Sequence, residues 1–321
     1  MSLRPVYETS WSMRISAPSQ CRPPPAAHHQ HETNAVMTTA IDAALTQDPV
    51  DAVFSDDELA GLPEPVRRHL QLAIAPGTPL AAAARLRMRG HIKLGRWLPF
   101  RARQLLAPHR GTVWTARIAG LISGSDRYAS GSGGMDWKLA GLVRLVHADG
   151  PDVSRSSAER AAGEAIWLPT ALLPRFGVDW AADGERTITA RFDVDGRSVH
   201  VEYRLDEHGR IQSLVFDRWG DPSNKGEFGL HPFGGEVTEH RTFHGVTIPS
   251  AGSVGWFYGT DRWNEGKFFR YRITDHHLVV APRRSDRALR FSATASGPGL
   301  FWWRRWDSNP RPPACKGPGR S

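Results

Sequence analysis

Few acidic or imidazole side chains in this 321-residue chain are spaced so that they could do chemistry. Glu164 is one candidate, because it lies near the apolar end of a predicted helix, beside Trp167, and could act as an acid–base group or orient a ligand. His240 and His244 are another, since residues four apart on a strand share a face, together with Glu236. The competing interpretations are a salt bridge from Glu164 to a strand arginine and a solvated strand face for the histidines.

Established catalytic motifs are missing from the sequence. It contains no G-x-S-x-G elbow, P-loop, dinucleotide-binding glycine turn or H-E-x-x-H helix. The glycine cluster at 131–134 is not followed by a predicted helix, which favours a β-turn over a phosphate cradle. We therefore expect no metal and no cofactor, and a function that is more plausibly binding than catalysis.

The net positive charge of the chain comes from its two ends. The formal net charge is +8, of which +7 falls in residues 281–321 and +1 in residues 1–36, so that residues 37–280 are neutral. Nucleic-acid binding requires clustered basic residues on one folded face, and we expect no nucleic-acid partner. Both cysteines, Cys21 and Cys315, also lie in the ends, which excludes a disulfide framework within residues 37–280. No apolar run is long enough to span a membrane or resembles a secretory signal, and this predicts a cytoplasmic protein.

The two ends differ from the rest in composition. Residues 1–36 lack apolar periodicity and are expected to be disordered, with Met37 as an alternative natural start. Residues 281–321 are expected to form a disordered basic tail. Its segment 306–315 resembles the antisense translation of a transfer-RNA gene, which implies read-through past a natural stop from about residue 295. A membrane-surface anchor at residues 301–305 is the alternative interpretation.

Between the ends, the pattern predicts an α+β fold. Residues 37–80 form an N-terminal helical segment, in which a broken helix over 51–73 begins at a capping box, Ser55 to Glu58. Period-two alternation from Leu86 onward predicts roughly ten antiparallel strands within a domain at 81–280. A central helix over 156–173 interrupts them, starting at a second capping box and ending near Pro169. Its apolar face consists of Ala158, Ala161, Ala162, Ala165 and Ile166.

Side chains as small as alanine allow a helix to lie very close to a sheet. Since a parallel sheet would need a helix after each strand, we predict a highly curved antiparallel sheet, half-barrel-like, wrapped around one or two helices. This architecture resembles the half-barrel of bacterial lipoprotein carriers, in which a helix lies in the concave face. The segments Ile92–Phe100, Glu164–Pro169 and Val254–Trp256 resemble an uncharacterised family of bacterial proteins over roughly residues 55–278. That resemblance implies no activity.

The leading functional hypothesis is the binding of a hydrophobic small molecule or lipid in a cavity between sheet and helix. The predicted lining draws on large apolar side chains, with Glu164 as a polar contact at the rim. The lining residues are Trp167, Leu168, Leu172, Trp219 and Trp256. An enzyme acting on a hydrophobic substrate through Glu164 or His240/His244 is one alternative, and a structural or partner-binding domain with a filled core is another.

Overall fold

The computed structural model describes residues 39–47 and 49–281. The expectations for residues 1–36, and for the basic tail from residue 282 onward, lie outside the described residues. The described residues include nearly all of the predicted helical segment, 37–80, and the whole of the predicted domain at 81–280.

A single antiparallel sheet dominates the fold. Its thirteen strands are β1 Ala84–Leu94, β2 Arg96–Ala107, β3 Gly111–Ile118, β4 Ile122–Ala129, β5 Ser132–Leu139, β6 Val143–Asp149, β7 Asp179–Asp183, β8 Thr187–Val194, β9 Arg197–Leu205, β10 Ile211–Gly220, β11 Gly229–Phe243, β12 Val246–Trp256 and β13 Lys267–Leu278. The predicted antiparallel sheet with few helices is thus confirmed. β5 and β7 are not among the predicted strands, because β5 opens on two glycines and β7 has only five residues.

The sheet consists of two meanders that meet in its middle. The strand order is β6-β5-β4-β3-β2-β1-β13-β12-β11-β10-β9-β8-β7, so β1 pairs with β13 while β6 and β7 form the two edges. These edge strands are consecutive in the chain and are joined by the central helical segment. That segment contacts β3 to β6 in one meander and β8 to β10 in the other. The sheet therefore curves around the helix, but it does not close into a barrel.

Four α-helices accompany the sheet in the described residues. They are α1 at residues 39–46, α2 Glu64–Ala73, α3 Pro151–Gly163 and the short α4 Trp263–Gly266. The broken helix predicted over 51–73 is a 3-10 turn, Asp56–Leu59, followed by α2, whose second residue is Pro65. Proline is tolerated there because the first helical N–H groups have no partner within the helix. The capping box at Ser55 is wrong, since its side chain makes no capping bond.

The central helix does not cover the predicted range 156–173. α3 begins at Pro151 and ends at Gly163, and three 3-10 turns continue the path as far as Phe176. Proline at the first helical position, with Asp152 in the first turn, is the start signal that the prediction overlooked. The predicted second capping box is therefore wrong. Glu159 instead accepts the backbone N–H of Trp219 at the end of β10, where β10 has no β9 partner.

The small-residue face of α3 is buried as predicted. Ala158, Ala161, Ala162 and Ala165 are all completely buried. The approach to the sheet is very close at Gly163, where an added Cβ would lie 2.3 Å from the ring of Phe216 on β10. At this contact no space for a ligand remains between helix and sheet.

Candidate functional site

One part of the concave sheet face remains partly uncovered, and we call it the open inner face. It lies toward the sheet end that carries the β1–β2, β3–β4, β5–β6 and β10–β11 turns. Alternate strand residues point to one side, and the register aligns their rows across the sheet. The open inner face consists of Leu94, Leu98, Ile122, Leu139, Val143, Val254, Trp256 and Arg218. Its members are half-buried or exposed, unlike the residues deeper in the concavity.

An aromatic cluster closes the bottom of the open inner face. Phe100 stacks on Phe269 with ring centroids 4.8 Å apart, which joins β2 to β13. Trp114 contacts both rings and also Trp137, at 5.7 Å. All four side chains are buried. A ligand on the open inner face would therefore rest on rigid aromatic surface rather than enter a deep hole.

Beneath this cluster, α3 contributes an ion network. Arg160 donates to Asp126 on β4 and to Glu164, at 2.8 Å in each case. Gln104 on β2 donates to the second oxygen of Glu164 at 2.6 Å, and Trp137 donates to the second oxygen of Asp126 at 2.8 Å. Burial alone would lower the pKa of Arg160, but the two carboxylates raise it above its usual value. Every oxygen of these carboxylates therefore has a protein donor.

Arg218 lies beside this network, and its partners differ from those of Arg160. Its Nε donates to the carbonyl of Ser156 on α3 at 3.2 Å, and its guanidinium lies over the rings of Phe233 and Trp256, at 4.6 and 5.1 Å. Within the described residues no carboxylate lies within ion-pair distance of it. Burial, with a smaller contribution from the positive charge of Arg160, lowers the pKa of Arg218 to about 10, although the carboxylates of Glu164, Glu159 and Asp126 partly offset this. The side chain stays cationic at neutral pH, with N–H donors for which the described part of the chain provides no carboxylate.

Only part of the predicted lining comes together. Trp256 belongs to the open inner face, and Glu164 lies below it in the ion network. Trp167, Leu168 and Leu172 are buried in the core where the 3-10 turns follow α3.

Trp219 lies near the end of β10, beyond the residues that pair with β9. Its indole donates to Asp152 at 2.8 Å, and the Arg155 guanidinium covers its ring at 4.1 Å. Glu164 binds the helix residue Arg160, so the predicted salt bridge to a strand arginine is wrong.

The two candidate histidines do not converge. Register shifts between Val237 and His240 break the strand alternation on which their shared face was predicted. His240 lines a pocket of ≈ 130 Å³ together with His69 and Leu172. His244 instead lies in the β11–β12 turn and stacks on His277 at 4.9 Å.

Burial sets the ionisation of the pocket histidines. It lowers the pKa of His69 to about 4, although the ring also hydrogen-bonds the Gly209 carbonyl at 3.0 Å. Burial, followed by the charge of Arg210, likewise lowers the pKa of His240. The neutral rings and the nearby arginine do not favour a cation. Over residues 39–47 and 49–281, no three His, Cys, Asp or Glu side chains group in a way that could hold a metal ion.

Comparison with known proteins places the chain in a family. Residues 52–268 match the family described as "Family of unknown function (DUF6544)". The chain belongs to this family. The DUF6544 match runs from before α2 to the start of β13, so it includes the whole open inner face, and the predicted membership of an uncharacterised family is confirmed. A search of curated proteins gives no significant match.

Two solved structures resemble this DUF6544 chain at low identity. One is a domain described as an outer membrane lipoprotein-sorting protein from Vibrio parahaemolyticus, with 10% identity, a TM-score of 0.32, and coverage of 65% of this chain and 91% of that one. The other is a LolA superfamily protein from Nitrosomonas europaea, with 7% identity, a TM-score of 0.37, and coverage of 68% and 93%. Neither structure transfers a function to this chain. No helix in the described part of this chain is long and apolar enough to span a membrane.

Sequence reasoning missed the most distinctive group of this DUF6544 site, Arg218. One local signal existed for the network around it, since Arg160 and Glu164 are four residues apart on a helix, a spacing typical of ion pairs. No local sequence signal indicates that Arg218 lacks a carboxylate partner among the described residues. This follows only from the structure, in which the nearby carboxylates of Asp126 and Glu164 bind other donors.

Proposed function

We propose that this protein binds a hydrophobic ligand with an acidic head group on the open inner face, the apolar part against the sheet and the head group on Arg218. The observation that carries the proposal is the Arg218 guanidinium, which has no carboxylate partner among the described residues, beside a partly uncovered row of apolar side chains. Fatty acids and other anionic lipids have this combination of groups.

The chemistry of Arg218 favours an anion. A guanidinium forms strong, often bidentate bonds with carboxylates and phosphates. Here Ser156 and the flanking aromatic rings fix the side chain, so that little conformational freedom remains to be lost on binding. Partial burial strengthens the attraction, because fewer water molecules compete for the donors.

The apolar contacts favour an extended chain over a compact molecule. The pockets of ≈ 130 and ≈ 150 Å³ found in the described residues are smaller than typical ligand cavities of about 300–1,000 Å³. The open inner face instead follows the sheet from β12 across β13 and β1 to the β6 edge. A flexible acyl chain could lie along such a surface.

Equilibrium dialysis with radiolabelled palmitate and hexadecan-1-ol tests the proposal, because the two ligands share a chain and differ in head-group charge. We expect Arg218→Gln to weaken palmitate binding about 10- to 100-fold, the range for a charge-assisted hydrogen bond, with little effect on the alcohol. Retention of neither compound by the folded wild-type protein would refute the proposal.

A matched pair of tryptophan variants separates the two faces of the sheet. Trp256→Ala removes a ring from the open inner face and should weaken both ligands by roughly 30-fold, as expected for loss of a central aromatic contact. Trp97→Ala removes a half-buried ring that lies under Arg270 on the opposite face, and should leave binding unchanged. Equal losses in the two variants would show that binding does not depend on the open inner face.

A further inference from the structure

Two neighbouring hairpin turns of the sheet have similar sequences, with the tripeptide Ala-Gly-Leu in common. The β3–β4 turn is Arg-Ile-Ala-Gly-Leu-Ile at residues 117–122, and the β5–β6 turn is Lys-Leu-Ala-Gly-Leu-Val at residues 138–143. The turns lie side by side, because β4 pairs with β5, and the N–H of Ala140 donates to the carbonyl of Leu121 at 2.8 Å. We call this pair of turns the twin tips.

The backbone of the twin tips does not explain their composition. Ala119 and Ala140 have φ of 49° and 51°, and each is followed by a glycine with positive φ, as in type I′ turns. Alanine in this region is strained, and asparagine, aspartate or glycine is the usual choice. The Ser130 and Asp195 turns adopt the same conformation before a glycine with polar residues. Alanine at both twin tips therefore makes them more apolar at a cost in turn stability.

The leucines that follow the glycines point into solvent. Leu121 is 62% exposed and Leu142 is 87% exposed, and the adjacent Val143 is 58% exposed. Exposed apolar residues scattered singly are ordinary, but these three lie on two adjacent turns. Together with both alanines they form an apolar projection at one end of the sheet.

Basic residues surround this projection. The segments 93–96, 117–123 and 138–145 contain five Lys or Arg side chains and no Asp or Glu. The five are Lys93, Arg96, Arg117, Lys138 and Arg144. Among the described residues only Arg144 has an ion-pair partner, Asp136 at 3.7 Å. An apolar tip with a positive surround is complementary to an anionic bilayer surface, where leucine enters the acyl boundary and basic side chains meet the head groups.

We propose that the twin tips dock the protein on an anionic lipid membrane, with Leu121 and Leu142 inserted and Arg117 and Lys138 on the head groups. A bilayer fits these tips better than a protein does, because a stable protein interface needs about 800 Å² of complementary surface per partner. Insertion into a bilayer, in contrast, needs only a few protruding apolar side chains such as these leucines. This proposal does not depend on ligand binding at the open inner face.

Vesicle co-sedimentation of the full chain tests the docking. The vesicles are phosphatidylglycerol mixed with phosphatidylcholine in equal parts, and vesicles of phosphatidylcholine alone serve as the comparison. We expect Leu121→Ser/Leu142→Ser to lower partitioning to the anionic vesicles by at least tenfold, since each leucine contributes roughly tenfold. Arg117→Gln/Lys138→Gln should lower it about fivefold per charge and so reduce the preference for anionic lipid.

Matched controls isolate the twin tips. Leu72→Gln removes another exposed leucine, on α2, and should sediment like the wild type. Because residues 282–321 are the same in every variant, any binding by that segment is common to all of them. Failure of the wild type to sediment with anionic vesicles would overturn the proposal, and so would equal sedimentation of the wild type and the folded Leu121→Ser/Leu142→Ser variant. Binding of the tips to a protein instead would give the first of these results.

Discussion

Replacing Gly163 by alanine sets helix propensity against packing, and the two effects have opposite signs. Gly163 is the last residue of α3 and has helical dihedral angles, φ −61° and ψ −30°, which alanine adopts without strain. Glycine is about 0.5–1 kcal/mol less favourable than alanine within a helix. Considered from the helix alone, Gly163→Ala should therefore stabilise the protein.

Packing predicts the opposite. The new Cβ would lie 2.3 Å from Cε1 and 2.4 Å from Cζ of Phe216, whose ring is buried on β10. The ring would have to move, and Phe233 at 5.6 Å limits that movement. Overpacking of a well-packed core costs about 1–3 kcal/mol. After subtraction of the gain in propensity, we expect Gly163→Ala to lower the free energy of unfolding by about 0–2.5 kcal/mol, centred near about 1 kcal/mol.

Urea unfolding of four proteins measures the effect and its cause. The proteins are the wild type, Gly163→Ala, Phe216→Leu and the double variant, compared at equal m-values so that the midpoints report stability. In the Phe216→Leu background the obstructing ring is gone, and the alanine should be neutral or stabilising. If Gly163→Ala changes the free energy of unfolding by the same amount with and without the Phe216 ring, the inference that α3 is in direct contact with the sheet there is wrong.

Two further predictions concern buried ionisable side chains. Burial lowers the pKa of His69 and of His276 to about 4, from 6.5. Between these two pH values the unfolded state therefore binds more protons than the folded state. The free energy of unfolding should be level above about pH 6.5 and fall as the pH decreases toward 4. Urea unfolding across this pH range measures the effect, and a level profile would contradict the burial of neutral rings. Arg160→Met should cost about 3 kcal/mol, since it leaves Asp126 and Glu164 without their cation. The neutral triple variant with Asp126→Asn and Glu164→Gln should recover part of that loss in the same assay, and a triple variant no more stable than Arg160→Met would argue against the ion network.

The sequence predicted what depends on local periodicity. Alternation identified most strands, and the spacing of Ala158 to Ala165 identified the buried face of the central helix. The limits of that helix were wrong because the same small residues continue into the 3-10 turns beyond Gly163, where the helical period no longer applies. The start was wrong because Ser156 to Glu159 has the composition of a capping box, although Glu159 serves the edge of β10 instead.

The positions of the buried and stacked histidines depend on long-range strand pairing. The histidine hypothesis assumed unbroken alternation along β11, and the register shifts after Val237 bring His240 to α2 while His244 reaches β13. His276, near the end of β13, shows the same limit, because its ring hydrogen-bonds the carbonyl of Trp167 at 2.8 Å, 109 positions earlier in the chain. Neither position follows from local sequence.

The candidate site depends on this long-range pairing more than the fold does. Arg160 and Asp126 are 34 positions apart, and they meet only because the register of β4 places Asp126 under α3. Once that pair and the bonds of Glu164 are formed, Arg218 is the cation of this network left without a carboxylate among the described residues. A different register of β4 would pair the charges differently and remove the feature on which the binding proposal rests. The functional hypothesis is therefore a consequence of strand pairing, and no inspection of Arg218 in the sequence alone could have reached it.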